Sequence, residues 1–146
     1  MYRRSGNDLE VFLVHPGGPF WAKKDTGAWS IPKGEYVDGE LALDAARREF
    51  QEETGFTTGE HFLELGVVKQ ASGKFVSAWA FEGDCDPTKM ISNLCQMEWP
   101  PSSGRKIEFP EVDRGAWFTI RAARARILKG QEPFLDALCQ KVSPPS

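Results

Sequence analysis

Three glutamates within five residues set the first limit on what this chain can fold into. In the run Arg48-Glu49-Phe50-Gln51-Glu52-Glu53, Glu49 is followed by carboxylates at i+3 and i+4. On a helix these three lie on one side, a turn apart. Carboxylates packed so closely repel one another, which costs stability unless something cationic sits among them. The surrounding residues do favour a helix. From Glu40 to Thr54 the chain is filled with Ala, Leu, Arg, Glu and Gln, lacks Pro and Gly, and stops at Gly55. Leu43 and Phe50, seven apart, share a face suited to core packing. Arg48 stands beside Glu49 and four residues before Glu52, so it can neutralise and orient a carboxylate. A hard divalent cation such as Mg²⁺ takes oxygen ligands, often one or two carboxylates with phosphate and water. Gly34, after Pro32-Lys33, permits a backbone path that a Cβ would obstruct and lets its carbonyl reach such an ion. The plainer reading of a helix dense in Glu and Arg is a solvated face laced by ion pairs.

The rest of the chain narrows the setting. Its 146 residues fit one domain, 1–146, with no composition shift that marks a second. A net charge of −3 argues against a general binder of nucleic-acid polymers or anionic membranes. Cys85, Cys95 and Cys139 are odd in number and without paired metal spacing, and the two histidines, His15 and His61, are far apart. No zinc site or disulfide framework is expected, and a reducing compartment is. With neither a leader-like apolar segment nor a bilayer-length run, a cytoplasmic location is the expectation.

Read for its elements, the chain begins with an apolar strand over Leu9 to Val14, which stops at His15-Pro16-Gly17-Gly18-Pro19. Trp21 to Gly39 reads as loop with brief extended pieces such as Trp29-Ser30-Ile31. After the Glu40–Thr54 helix, Phe62 to Gln70 and Lys74 to Glu82 suggest a hairpin. The stretch from Cys85 to Pro110 is irregular and rich in proline, with Asn93 to Trp99 as a possible strand. Ala116-Trp117-Phe118 gives a last short strand. A helix from Thr119 to Lys129 closed by Gly130 follows, then a second from Pro133 to Lys141 and a frayed tail.

What lifts the acidic segment above an ordinary solvated helix is its whole pattern. Gly34-x5-Glu40-x7-Arg48-Glu49-hydrophobic-x-Glu52-Glu53-x-Gly55-hydrophobic resembles the Nudix box at every defined position. Seven of those positions demand one residue type. At average composition, chance agreement is on the order of one in a billion per starting position. The order of strands and helices around the box resembles the Nudix order over nearly the whole chain. The resemblance implies an α+β fold, an α/β/α sandwich whose mixed β-sheet is flanked by the box helix and C-terminal helices. It implies that Glu49, Glu52 and Glu53, with the Gly34 carbonyl, bind Mg²⁺ or Mn²⁺, that Arg48 holds a metal-binding glutamate, and that Glu40 supports the box. The implied reaction is hydrolysis of a pyrophosphate bond in a nucleoside diphosphate linked to another moiety. Glu52 or Glu53 can serve as general base, but many members of the family use an acid outside the box. Glu98, Glu108, Glu111 and Asp113 are the candidates, and Glu111, in the loop Phe109-Pro110-Glu111, is favoured.

Lys33 is the preferred phosphate contact, ahead of Lys23, Lys24 and Arg105. Trp21, Trp29, Phe75, Trp79 and Trp99 include possible base-stacking partners, although core packing suits any one of them better. Cys95 reads as a packing residue and His61 as a surface one. The lead-in Trp29-Ser30-Ile31-Pro32-Lys33-Gly34 resembles the Trp-x-x-Pro-Lys-Gly entry of Nudix hydrolases of diadenosine polyphosphates. That favours a nucleoside or dinucleoside polyphosphate of the diadenosine tetraphosphate kind. Lys69 to Val76 carries neither the tyrosine associated with dinucleoside polyphosphate hydrolases nor the proline associated with ADP-ribose hydrolases. The expected partner is a small-molecule nucleotide, with the chain a monomer or homodimer. The competing reading is a catalytically silent Nudix-fold module that senses a nucleotide. Such modules typically lose box glutamates, and all three are kept here.

Overall fold

The run Val11-Phe12-Leu13-Val14 is apolar without alternation, as expected of a strand covered on both faces. In the computed structural model, which describes residues 1–33, 40–70 and 73–142, it forms the middle of the central sheet. Strands β1 (Tyr2–Ser5) and β2 (Asp8–Pro16) make an antiparallel hairpin. Helix α1 (Ala42–Thr54) follows, then the antiparallel hairpins β3 (Leu63–Lys69) with β4 (Phe75–Ala80) and β5 (Leu94–Glu98) with β6 (Lys106–Pro110). Strand β7 (Val112–Thr119) returns to pair antiparallel with β2, giving the order β1-β2-β7. Helices α2 (Ile120–Arg126) and α3 (Glu132–Lys141) complete the chain. Beyond β4 the backbone runs parallel to β1, with the Tyr2 N–H on the Phe81 carbonyl at 3.0 Å and the Gly83 N–H on the Tyr2 carbonyl at 2.9 Å. Parallel and antiparallel pairings therefore meet at β1. The α+β sandwich with mixed strand directions is the architecture the sequence led us to expect. No described helix is long and apolar enough to cross a membrane.

The two faces of β2 enter different cores. Val11 and Leu13 pack with Trp29, Ala123, Ile127, Leu135 and Leu138, beneath α2 and α3. Phe12 and Val14 pack with Val112, Phe56, Met90 and Trp117 on the opposite side. Each fully buried side chain of this kind is worth roughly 1.5–3 kcal/mol relative to exposure, so β2 is the element that joins the layers.

Several boundaries differ from the sequence reading, each for a visible reason. Strand β1 was not foreseen: it is a polar edge strand in which Tyr2 is the one fully buried residue. Helix α1 begins at Ala42 rather than Glu40, with Leu41 at its N-cap and no side-chain cap. The stretch read as irregular after residue 98 contains β6, whose Lys-Ile-Glu-Phe alternation is masked by the terminal Pro110. Helix α2 ends at Arg126 rather than Lys129. There the backbone turns extended, and Trp29 takes over its pairing, donating to the Arg126 carbonyl at 3.0 Å and accepting from Leu128 at 2.7 Å. Tertiary pairing outweighs local helix preference at that point.

The end of α1 is sharply defined. Gly55 is left-handed at φ 77° and donates to the Gln51 carbonyl at 2.8 Å. A Cβ there would also lie 2.9 Å from the Ile91 carbonyl oxygen. A residue other than glycine in this conformation costs ~1–2 kcal/mol before any clash is relieved. Gly55→Ala is expected to lower unfolding free energy by at least that amount in urea titration, with m-values unchanged.

Candidate active site

Arg48 is the hub of the acidic face of α1. Its Nε and Nη2 donate to the two oxygens of Glu40 at 2.9 and 3.1 Å, a bidentate clasp onto the residue just ahead of the helix. Nη1 donates to Glu49 Oε1 at 2.9 Å and lies 3.3 Å from both oxygens of Glu52. One planar guanidinium thus serves three carboxylates, a geometry its fixed fork of donors permits and a lysine would not. These bonds, that to Glu40 foremost, raise the arginine's own pKa.

Glu53 lies deeper, 4% exposed. Burial, and next the charge of Glu111, push its carboxyl up to about 8, while the Lys33 backbone N–H and ammonium pull the other way. Its Oε2 has no hydrogen-bond partner within the described residues. Glu49 is also raised, by burial first and in part by Glu52 and Glu111, with Arg48 opposing. The charge of a carboxylate from outside the helix, Glu111, thus bears on both Glu49 and Glu53.

Glu111 is held there by backbone bonds. Asn93 donates to the Glu52 carbonyl at 2.8 Å, and the Asn93 carbonyl accepts from the Glu111 N–H at 2.9 Å. Ile91 donates to the Thr54 carbonyl at 2.9 Å, so the segment before β5 occupies carbonyls that the helix end leaves unpaired. On the other side the Gly17 N–H donates to the Glu111 carbonyl at 2.9 Å. A Cβ on Gly17 would stand 1.9 Å from the Pro110 carbonyl oxygen, so the loop after β2 approaches this strand closely only because residue 17 is glycine.

Among the other candidates, Lys33 is exposed and next to Glu53, as its contacts show. Glu98 and Glu108 are exposed on the β5–β6 hairpin. Asp113 is committed elsewhere: its Oδ1 lies 2.9 Å from Nδ1 of fully buried His15, whose Nε2 meets the Lys24 carbonyl. Lys24 places its ammonium 3.6 Å from the centre of the Phe20 ring. Gly34 lies outside the described residues. Among the aromatics, Trp29 is a core residue at 4% exposure, its indole donating to Asp25 at 2.7 Å. Phe75 is exposed on β4, and Trp79 borders a cavity of about 300 Å³ with Phe50, Phe62 and Phe81. None of the box carboxylates lines that cavity. Trp21 instead flanks a pocket of about 310 Å³ that includes Glu111. The sequence reading missed His15, Phe20 and Gly17 as parts of this region. The Pro16-Gly17-Gly18-Pro19 run was the available signal, since paired glycines between prolines mark a close backbone approach.

Chemically, the site offers hard oxygen donors, one of them orphaned, in a partly desolvated setting. Among the described residues no three acidic, cysteine or histidine side chains are already gathered as a metal cage. Arg48 Nη1 meanwhile bonds Glu49 Oε1 and lies 3.3 Å from both oxygens of Glu52.

Comparison with known proteins agrees with this geometry. The NUDIX domain family model matches residues 2–138. An uncharacterized 17.7 kDa protein in the e-segB intergenic region of Enterobacteria phage T4 is 35% identical over 109 residues, covering 73% of this chain and 71% of that protein. An Ap4A hydrolase of C. elegans, solved as a binary complex, superposes with a TM-score of 0.64 at 19% identity, over 97% of this chain and 93% of that one. The NUDIX domain of Shewanella oneidensis NrtR, solved with ADP ribose, also reaches 0.64, at 14% identity and over 97% and 83% of the two chains. These two likenesses speak for the fold; the family match over nearly the whole chain, with every box glutamate present, speaks for the class. The chain belongs to the Nudix family.

Proposed function

We propose that this protein hydrolyses a pyrophosphate bond in a nucleoside or dinucleoside polyphosphate of the diadenosine tetraphosphate kind, with Mg²⁺ or Mn²⁺ held by Glu49, Glu52 and Glu53 and the Gly34 carbonyl. The observation that carries the reading is the buried Glu53 carboxyl beside Lys33, one oxygen of which has no partner among the described residues, with the charge of Glu111 bearing on it and on Glu49. Acidic groups are kept together out of water at a cost, and an entering cation that takes the place of a proton turns that cost into affinity. Nudix enzymes in general use divalent metal ions, and the donor set here is all oxygen, as such ions prefer. A bound divalent cation supplies charge neutralisation at the pyrophosphate and lowers the pKa of a water.

The chain's own residues do the rest. Arg48, anchored through Glu40, keeps Glu49 and Glu52 aimed at one place and yields their oxygens without leaving the site. Lys33 offers its ammonium to a phosphate oxygen. Glu111, pinned by its own N–H and carbonyl, accepts the proton of the attacking water. The lead-in Trp29-Ser30-Ile31-Pro32-Lys33 and the likeness to an Ap4A hydrolase support the polyphosphate assignment. The domain solved with ADP ribose makes that nucleotide a further compound to test, and nucleotide sensing without turnover is the competing reading.

The deciding assay offers diadenosine tetraphosphate, nucleoside triphosphates and ADP-ribose with Mg²⁺, and resolves products by chromatography. Turnover by the wild type, reduced at least ~100-fold in Glu52→Gln/Glu53→Gln, is expected; a nucleotide that raises the melting temperature without any turnover would favour sensing instead. Glu111→Gln is expected to lower kcat by ~10²–10⁴ and to remove the acidic limb of its pH profile, as loss of a general base does. An unchanged profile would reassign the base.

Stability gives an independent check. Glu53 has its folded pKa raised, to about 8 from 4.5, so the folded state holds a proton that the unfolded chain has released. Its contribution is full below pH 4.5 and is lost as pH rises through 8. In chelator, Glu53→Gln is therefore expected to gain in melting temperature over wild type by several degrees between those two pH values. Mg²⁺ should raise the wild-type value at the upper pH and erase most of the difference.

A further inference from the structure

Two walls of aromatic and apolar side chains stand open to solvent beside the acidic site. The loop after β2 contributes Phe20 and Trp21, and the β5–β6 hairpin contributes Met97 and Phe109. Gly17 and Glu111 close the pocket between them, which measures about 310 Å³. Phe20 is 54% exposed and Met97 36%, so large apolar surface is held in water here.

The loop wall is built rather than loose. Phe20 and Trp21 meet edge to face at 5.2 Å, and the Lys24 ammonium sits 3.6 Å over the first ring and 5.1 Å from the second. The Lys24 backbone donates to the Trp21 carbonyl at 3.0 Å and accepts from buried His15. Gly18, left-handed at φ 91°, lets the loop pass so close to Phe109 that a Cβ would lie 2.7 Å from its ring. The rings are therefore fixed before anything binds, which reduces the ordering cost of a ligand.

We propose that this pocket seats the nucleobase of the substrate, stacked against Phe20 and Trp21 with Met97 and Phe109 opposite. The proposal rests on the hydrolytic reading above and extends it to which part of the substrate is recognised. Its main support is continuity: Glu111 forms part of the pocket wall, and its N–H bonds the Asn93 carbonyl at 2.9 Å while the Asn93 N–H bonds the Glu52 carbonyl at 2.8 Å, so the pocket is joined to the end of the acidic helix. A base held there directs its phosphates toward the acids and Lys33. Every nucleobase has a π face, and the pocket presents few polar groups to read a base edge. The site thus demands a base while discriminating weakly between bases. His15 and Asp113 act behind it as positioning residues for the loop.

The test compares wild type, Phe20→Leu/Trp21→Leu and the conservative Trp21→Phe on diadenosine tetraphosphate and on inorganic tripolyphosphate, which has no base. Loss of stacking is expected to lower the ratio of kcat/KM for the two substrates by ~10–100-fold in the double variant, mainly through KM. Trp21→Phe should retain most of it, and adenine, guanine and pyrimidine nucleotides should differ by less than about tenfold in the wild type. An unchanged ratio in the double variant overturns the proposal. Adenosine monophosphate titrated in chelator, followed by tryptophan fluorescence, decides it without catalysis. Quenching in wild type that disappears in Trp21→Phe, with binding retained by calorimetry, upholds the base seat. Absence of quenching overturns it. If wild type turns over neither compound, the hydrolytic reading fails, and the titration alone decides the pocket.

Discussion

Negative charge withdrawn from water is the constraint around which this structure is organised. Glu49 and Glu53 are buried on one turn-to-turn face of α1, and Glu111 is brought toward them from another element. Left to local energetics the arrangement would open, since repelling carboxylates gain by separating into solvent. Arg48 prevents part of that by spanning Glu40, Glu49 and Glu52 at once, and Glu53 avoids it by holding its proton. The site is therefore stable without being electrostatically satisfied, a condition suited to a place where a cation and polyanionic ligand are to bind.

The scaffold that resists this repulsion is backbone rather than side chain. Asn93 bonds both the helix end and the Glu111 strand, and Gly17 bonds Glu111 from the side of the central sheet. Three segments far apart in sequence are so joined through consecutive peptide groups. Because β2 is buried on both faces, its loop inherits a rigid base, and the aromatic wall at Phe20 and Trp21 stands in fixed relation to the acids. The placing of Glu111 at this site thus traces back to a few main-chain bonds.

Much of the catalytic half was legible in the sequence, because helices advertise themselves by period and because each box position is chemically specific. The nearness of Arg48 to Glu52 follows from i, i+4 geometry, and so does the convergence of Glu49 and Glu53, whereas the clasp of Arg48 on Glu40 lies beyond the helix start. The sequence favours Glu111 over Asp113, Glu98 and Glu108 without compelling that choice. It depends on the register of β6 on β5 and of β7 on β2 and on His15 claiming Asp113, which are long-range facts. The aromatic pocket was less legible still. Trp21 is one of five aromatic candidates in the sequence, Phe20 carries no signal of its own, and the hairpin wall is hidden because Pro100, Pro101 and Pro110 obscure the alternation on either side of the turn. Sequence periodicity reports what a segment does to its own neighbours, and this pocket is assembled from segments about eighty residues apart.

The β5–β6 hairpin has a further consequence for how relatives of this chain can diverge. Its backbone bonds toward the acidic helix are at its base, where Leu94 pairs Pro110 and the Asn93 carbonyl accepts from the Glu111 N–H, whereas its far end at residues 99–105 is mostly exposed. The tip is consequently free to lengthen, shorten or change composition in descendants, carrying new contacts to a ligand's distal part. One residue gained at the base would have the opposite effect. Side chains alternate along a strand, so the insertion would turn Glu111 to the other face and bring Pro110 into its place.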